Sequence, residues 1–218
     1  MLLTPPPYKN PQQLALIKSV RTDGLPGLRA WPAQQWMEWQ RQSQSFEAIA
    51  AYAWTFNFLV SEEGSESLEG MAVTRDYFRV IGVQPTLGRA FVESETGFPA
   101  APVVIIGYDF WQRKYGGDPN IVGKPLRMSR RDTPPTIVGV MPPGVRFLPT
   151  PRAAQEPNYN VNGHVDYWMP AVPNPQRLKQ STWDLIGRVK DGITIERAQA
   201  ELGVLVAQQV EADRTLPA

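Results

Sequence analysis

The stretch from Met71 to Phe91, MAVTRDYFRVIGVQPTLGRAF, constrains the fold more than any other. Met71 and Val73 alternate with polar neighbours, as in the end of a half-buried strand. Thr74 or Asp76 can cap a helix here, and Tyr77, Phe78 and Ile81 then fall at helical spacing. Gly82 stands where a left-handed residue closes a helix. Residues 84–88 then turn the chain, and Arg89-Ala90-Phe91 resumes extended structure. The stretch packs and turns the chain; it carries no chemical group arranged for reaction.

Most of the sequence reads the same way. A first strand is expected over 13–20, followed by a break at Gly24, Pro26 and Gly27. The spacing of Trp36, Trp39, Phe46, Ile49 and Ala50 predicts a helix over 33–52, with Pro32 at its start. Trp36 and Trp39 on that face suit a core better than a ligand box. Residues 54–60 and 67–73 form a hairpin across Glu62-Glu63-Gly64-Ser65. Strands are expected at 103–106, 121–128, 136–141, 167–172 and 183–189, and a helix at 108–115, closed by Gly116-Gly117. Pro142-Pro143-Gly144 is a hard turn, and 148–165 is an aperiodic surface loop. A last helix spans 194–212, with Thr194 as N-cap and Ala198, Leu202, Leu205, Val206 and Gln209 along its apolar stripe.

Composition removes several functions. The chain has 218 residues, 42% of them apolar, which is enough for a sizeable core. No apolar run approaches the ~20 residues of a membrane span, and the first residues lack the pattern of a signal peptide. Lys and Arg number 22 against 21 Asp and Glu, so a general nucleic-acid surface is not expected. With no cysteine, thiol catalysis, zinc–thiolate sites and disulfides are excluded. The 22 prolines are scattered between periodic segments and read as turn-makers.

A search for chemistry yields little. A Ser-His-Asp arrangement would need the single histidine, His164, which sits beside Asn162, Gly163 and Asp166 without a Gly-x-Ser-x-Gly elbow. Glu62 with Glu63, or Glu93 with Glu95, could serve as the paired carboxylates of a glycosidase, but all four lie in turns where solvated charge is normal. Asp109, Asp118 and Asp132 suit a helix start or a turn. Gly82 to Gly88 is followed by no Gly-Lys-Ser/Thr and is no phosphate loop; Gly116-Gly117-Asp118 is a helix stop. The expectation is a domain with no catalytic, cofactor-binding or metal-binding residue.

Several segments, in order, resemble a known family. They are Pro7-Tyr8-Lys9-Asn10-Pro11, Ser45-Phe46-Glu47, Tyr77 to Pro85, Leu87-Gly88-Arg89-Ala90-Phe91 and Phe110-Trp111-Gln112-Arg113 with Gly117-Asp118-Pro119. Ile121-Val122-Gly123, Ile137 to Gly144, Tyr167-Trp168-Met169-Pro170, Gly187 to Thr194 and Ala198 to Leu202 complete the series. Together they resemble the periplasmic core domain of MacB-like ABC transporter permeases, within the FtsX-like permease superfamily and of the large type abundant in soil bacteria. Asp191 stands where proline is usual in that family, and the 148–165 loop is long for it.

The resemblance implies an α+β fold in two parts. One is a porter-like β-α-β subdomain over 1–95 and 180–218, and the other is a smaller mixed α/β insert over 96–179. It implies a place on the periplasmic side of the bacterial inner membrane, between the first and second membrane helices of a permease. It further implies a non-catalytic role, relaying ATP-driven conformational change to substrate export or partner proteins. The implied partners are a second permease protomer, a cytoplasmic ATPase, and an adaptor or cargo, with no nucleic acid. Isolated, such a domain is expected to be monomeric. Two other readings stay open: a free-standing secreted ligand-binding protein, which needs an apolar pocket, and a secreted hydrolase, which needs two carboxylates ~5–10 Å apart in a cleft.

Overall fold

The alternation of apolar residues within strands decides the architecture. The computed structural model describes residues 8–18, 31–61, 64–129, 133–146 and 163–215. Its first half contains β1 (Leu14–Ile17), β2 (Trp31–Pro32), α1 (Ala33–Gln42), β3 (Phe46–Ser61), β4 (Gly64–Val73), α2 (Tyr77–Ile81) and β5 (Leu87–Gly88). The second half contains β6 (Val103–Ile106), α3 (Tyr108–Tyr115), β7 (Thr136–Val140), β8 (Tyr167–Pro170), β9 (Thr182–Val189) and α4 (Ile195–Thr215). Among the described residues these strands make one mixed sheet in the order β1-β9-β3-β4-β8-β6-β7-β5, with β2 also on β9. The fold class is α+β.

Strand parity sorts the core into two faces. Leu14, Leu16, Ala48, Ala50, Tyr52, Met71, Val73, Ile105, Val138, Trp168 and Ile186 share one cluster that runs the width of the sheet beneath α2. The opposite face is divided. Ala15, Ile17, Ile49, Ala51, Leu185 and Val189 pack under α1 and α4. Leu59, Leu68, Val104, Ile106, Ile137, Val140, Tyr167 and Met169 pack with Phe110 of α3 and with Ile121, Leu126 and Met128.

The helix expected over 33–52 ends at Gln42, and 46–61 is strand β3. Apolar spacing at three and four persists across the junction, which is why the sequence misleads. However, Phe46 and Ala48 to Tyr52 are buried on both faces of a strand that pairs with β9, and a strand satisfies that burial better than a one-sided helix. A register shift between Phe46 and Ala48 sends Phe46 to the same face as Ile49 and Ala51. The strand expected at 121–128 is also absent. That segment turns at Gly123 (φ 90°) and forms no ladder with the sheet, only isolated bridges at Pro125 and Met128.

Other expectations hold. The β3–β4 hairpin pairs Ser61 with Gly64, and positions 62 and 63 lie outside the described residues, as does the loop over 147–162. Gly82 closes α2 at φ 68°, and Gly116 closes α3 at φ 58°. Thr194 accepts from the Arg197 N–H at 3.2 Å and caps α4. Neither cap expected for α2 forms through a side chain. The Thr74 hydroxyl instead accepts from the Ala51 N–H (2.9 Å) and donates to the Ala51 carbonyl (3.1 Å), pinning the turn to β3.

Candidate functional site

Few polar side chains are fully buried, and these few organise the molecule. Arg188 interrupts the apolar run of β9 and faces the wide core, 5% exposed. Its Nε donates to the Val80 carbonyl (2.7 Å) and its Nη2 to the Lys9 carbonyl (2.8 Å); Nη1 has only a long contact with Gln13 Oε1 (3.4 Å). One guanidinium thus joins β9, the last turn of α2 and the segment preceding β1. Burial holds its pKa below the usual arginine value, against the opposing pull of Glu47 and Asp191. Glycine is required at 82 because a Cβ there would run into Lys9 and crowd Arg188, on a backbone already left-handed. A cleft of about 280 Å³ opens beside this junction, lined by Lys9, Glu47, Arg79, Arg188 and Asp191 among others.

His164 and Asp166 are brought together, as local bonding would have it. His164 Nε2 lies 2.6 Å from Asp166 Oδ1. Asp166, 1% exposed, also accepts from the Glu69 N–H (2.9 Å) and from Arg113 Nη2 (3.1 Å). Burial alone would raise its pKa, but the bonds from His164, Glu69 and Arg113 outweigh it and hold the carboxyl below the usual aspartate value. Glu66 and Asp109 extend the network through Arg113 and His164. Asn162 lies outside the described residues.

The carboxylates weighed for hydrolysis have other work. Glu95 takes a bidentate pair from Arg89 (2.7 and 2.8 Å) and the Val92 N–H at 3.0 Å. The Arg89 hydrogen bonds hold its pKa below the ordinary value, with burial opposing. Glu93 pairs instead with Arg75 at 2.8 Å. A general acid needs a raised pKa, so the direction at Glu95 is wrong for that role. Glu62, Glu63 and Asp132 lie outside the described residues. Asp118 bonds Lys124 (2.6 Å) and the Asn120 N–H (2.9 Å), closing a turn, and Asp109 pairs with Arg146 at 3.2 Å. Trp36 and Trp39 lie in the core under α4, the Trp39 indole donating to Gln209 Oε1 at 3.0 Å.

A further junction is not foreseen from the sequence. Glu201 of α4 accepts from Ser43 Oγ (2.8 Å), the Gln44 N–H (2.6 Å) and the Ser45 N–H (2.9 Å). This clamps the last helix onto the corner where α1 becomes β3. Burial would raise its pKa, but these donors lower it overall. The available signal was an acid on the apolar stripe, three residues after Ala198 and one before Leu202. For Arg188 it was a cation inside an apolar strand.

Among the described residues, no group of three or more His, Cys, Asp or Glu could hold a metal, and no helix is long and apolar enough to cross a membrane. The model of the MacB-like periplasmic core domain family matches residues 7–205. Comparison with curated proteins gives no match. Among solved structures, the periplasmic region of MacB from Actinobacillus actinomycetemcomitans superposes with a TM-score of 0.63 at 12% identity, covering 90% of this chain and 83% of that one. A domain of a putative permease from Porphyromonas gingivalis gives 0.64 at 16% identity, covering 92% and 83%. The extracellular domain of the noncanonic ABC-type transporter YknZ from Gram-positive bacteria gives 0.55 at 12%, covering 84% and 86%. Matched over most of its length, the chain belongs to the MacB-like periplasmic core domain family, a domain of ABC transporter permeases.

Proposed function

We propose that this domain is a non-catalytic relay: an extracytoplasmic body that converts movement of its permease into movement against cargo or a partner protein. The ATP-hydrolysing partner acts from the other side of the membrane, and no reaction is carried out by the domain itself. One observation carries the reading. The incoming segment and the outgoing helix are fastened to the same strand. Residues 14–17 pair with Leu185–Arg188 of β9, and β9 leads into α4 after a short turn. Arg188 and Glu201 then fix the flanking corners through backbone atoms. A displacement entering at either side therefore loads the whole sheet, which suits transmission by rigid-body motion.

The two-part division, 1–95 with 180–218 and 96–179, is retained as part of this proposal. The split of one sheet face between two separate cores supports it, although Leu59 and Leu68 of the first part join the core of the second. The shared opposite face means that the parts move together.

The test uses the complete permease with its ATPase in proteoliposomes. Loosening the Glu201 clamp with Glu201→Ala is expected to leave basal ATP hydrolysis within about twofold of wild type while lowering coupled transport by about tenfold or more, as for the loss of a ~1.4 kcal/mol coupling. Transport at the wild-type rate would refute the relay reading. So would turnover of a substrate by the isolated domain.

A further inference from the structure

The cleft beside Arg188 poses an electrostatic problem that the fold solves only in part: Glu47 and Asp191 pull on its charge, but neither pairs with it directly. A guanidinium offers five N–H donors and a full positive charge. Arg188 is 5% exposed, and two of its donors reach backbone carbonyls while a third makes only the 3.4 Å contact with Gln13. Among the described residues no carboxylate lies within the 4.0 Å of an ion pair with it. Carbonyl dipoles satisfy donors but supply no net countercharge, and buried charges are ordinarily paired. The same cleft presents two further cations, Lys9 and Arg79, both exposed, and two exposed carboxylates, Glu47 and Asp191.

From this arrangement we infer that the cleft is a binding site for a phosphate monoester bearing an adjacent ammonium group. The phosphate takes Arg188, Lys9 and Arg79, giving Arg188 the direct ion-pair partner that Glu47 and Asp191, acting from beyond 4.0 Å, do not supply. The ammonium takes Glu47 and Asp191, which would repel a bare dianion. Guanidinium and ammonium donors are the ordinary partners of phosphate oxygens. At about 280 Å³ the cleft has room for a group the size of phosphoethanolamine. Because Lys9 belongs to the segment before β1 and Arg79 to α2, an occupied site would bind these two elements more firmly to β9. Such a site would bind its ligand whether or not the domain acts as a relay.

The experiment titrates phosphoethanolamine and inorganic phosphate into the domain by calorimetry at constant ionic strength. Phosphoethanolamine is expected to bind more tightly than inorganic phosphate. The double variant Lys9→Ala, Arg79→Ala is expected to weaken it at least ~tenfold, as for loss of charge-assisted hydrogen bonds. Glu47→Gln with Asp191→Asn is expected to erase the preference over inorganic phosphate. Arg188 stays intact because its carbonyl bonds also support the fold. Thermal melting of each variant without ligand separates lost binding from lost folding. Co-sedimentation with phosphatidylethanolamine vesicles, against phosphatidylcholine vesicles, distinguishes a lipid headgroup from a free ester as the source. Absence of binding at millimolar phosphoethanolamine, or equal binding by wild type and the cation variant, overturns the inference.

Discussion

Replacing Glu201 by alanine removes one carboxylate and three hydrogen bonds at once. The cost can be worked from what each donor does afterwards. The Ser43 hydroxyl can rotate towards water, and the Gln44 N–H is exposed enough to be solvated. The Ser45 N–H belongs to a residue only 4% exposed, so it is left buried without an acceptor. A buried unsatisfied group costs ~1–3 kcal/mol, and the two solvated donors each forfeit ~0.5–1.5 kcal/mol net. The sum is roughly 2–6 kcal/mol, and for a domain of this size each kcal/mol lowers Tm by ~2–4 °C. Urea unfolding at pH 7 measures the difference directly. Glu201→Gln keeps one acceptor and is expected to lose about half as much. A change below ~0.5 kcal/mol for Glu201→Ala, within the range of ordinary surface substitutions, would refute the clamp.

The same geometry bears on two glycines and on acid stability. Gly70→Ala sets a Cβ inside the space of the Tyr167 ring, so it is expected to cost ~1–3 kcal/mol by overpacking, read as a lower urea midpoint. Gly82→Ala adds left-handed strain to a clash with Lys9 and is expected to lose at least ~1–3 kcal/mol, with faster amide exchange across 77–82. Stability should also depend on acid. Glu95, Asp166 and Glu201 are all held below their ordinary values of 4.5, 3.8 and 4.5, so the unfolded chain binds their protons first as pH falls. Their contribution is fully present above about pH 5 and is lost as pH drops through 4 and below, which urea midpoints across that range will measure.

Local signals in the sequence were legible wherever one residue settles the backbone. Gly82 and Gly116 mark helix ends because a left-handed residue is needed there, and Thr194 marks a helix start because its hydroxyl reaches the Arg197 N–H. The hairpin was legible from alternation on both sides of a short polar loop. The junction at 43–46 was not, because Trp36, Trp39, Phe46 and Ile49 share one core although they lie on two kinds of element. Periodicity reports which residues face a core, and two successive elements facing the same core extend the pattern across their boundary. Arg188 and Glu201 were illegible for a different reason: most of their partners are backbone atoms far away in sequence. Arg188 meets Val80 and Lys9, and Glu201 meets Gln44 and Ser45, contacts that no spacing rule encodes.

Those partners also bear on function. A carboxylate working as acid, base or nucleophile needs a lone pair free to meet a substrate. Glu95, Asp166 and Glu201 each spend acceptors on backbone N–H groups, at 92, 69 and 44–45, and Arg188 spends donors on backbone carbonyls at 9 and 80. The places so fixed are where the chain changes direction or runs between elements. Glu201 holds the corner from α1 to β3, Arg188 the end of α2, and Glu95 the turn after Phe91. Charged groups bound to backbone hold corners at defined positions, and a sheet with fixed corners moves as one body under load. Apolar packing would stabilise such corners as well, but it would let them slide. A relay gains from the difference, since slippage at a corner would absorb the displacement it has to pass on.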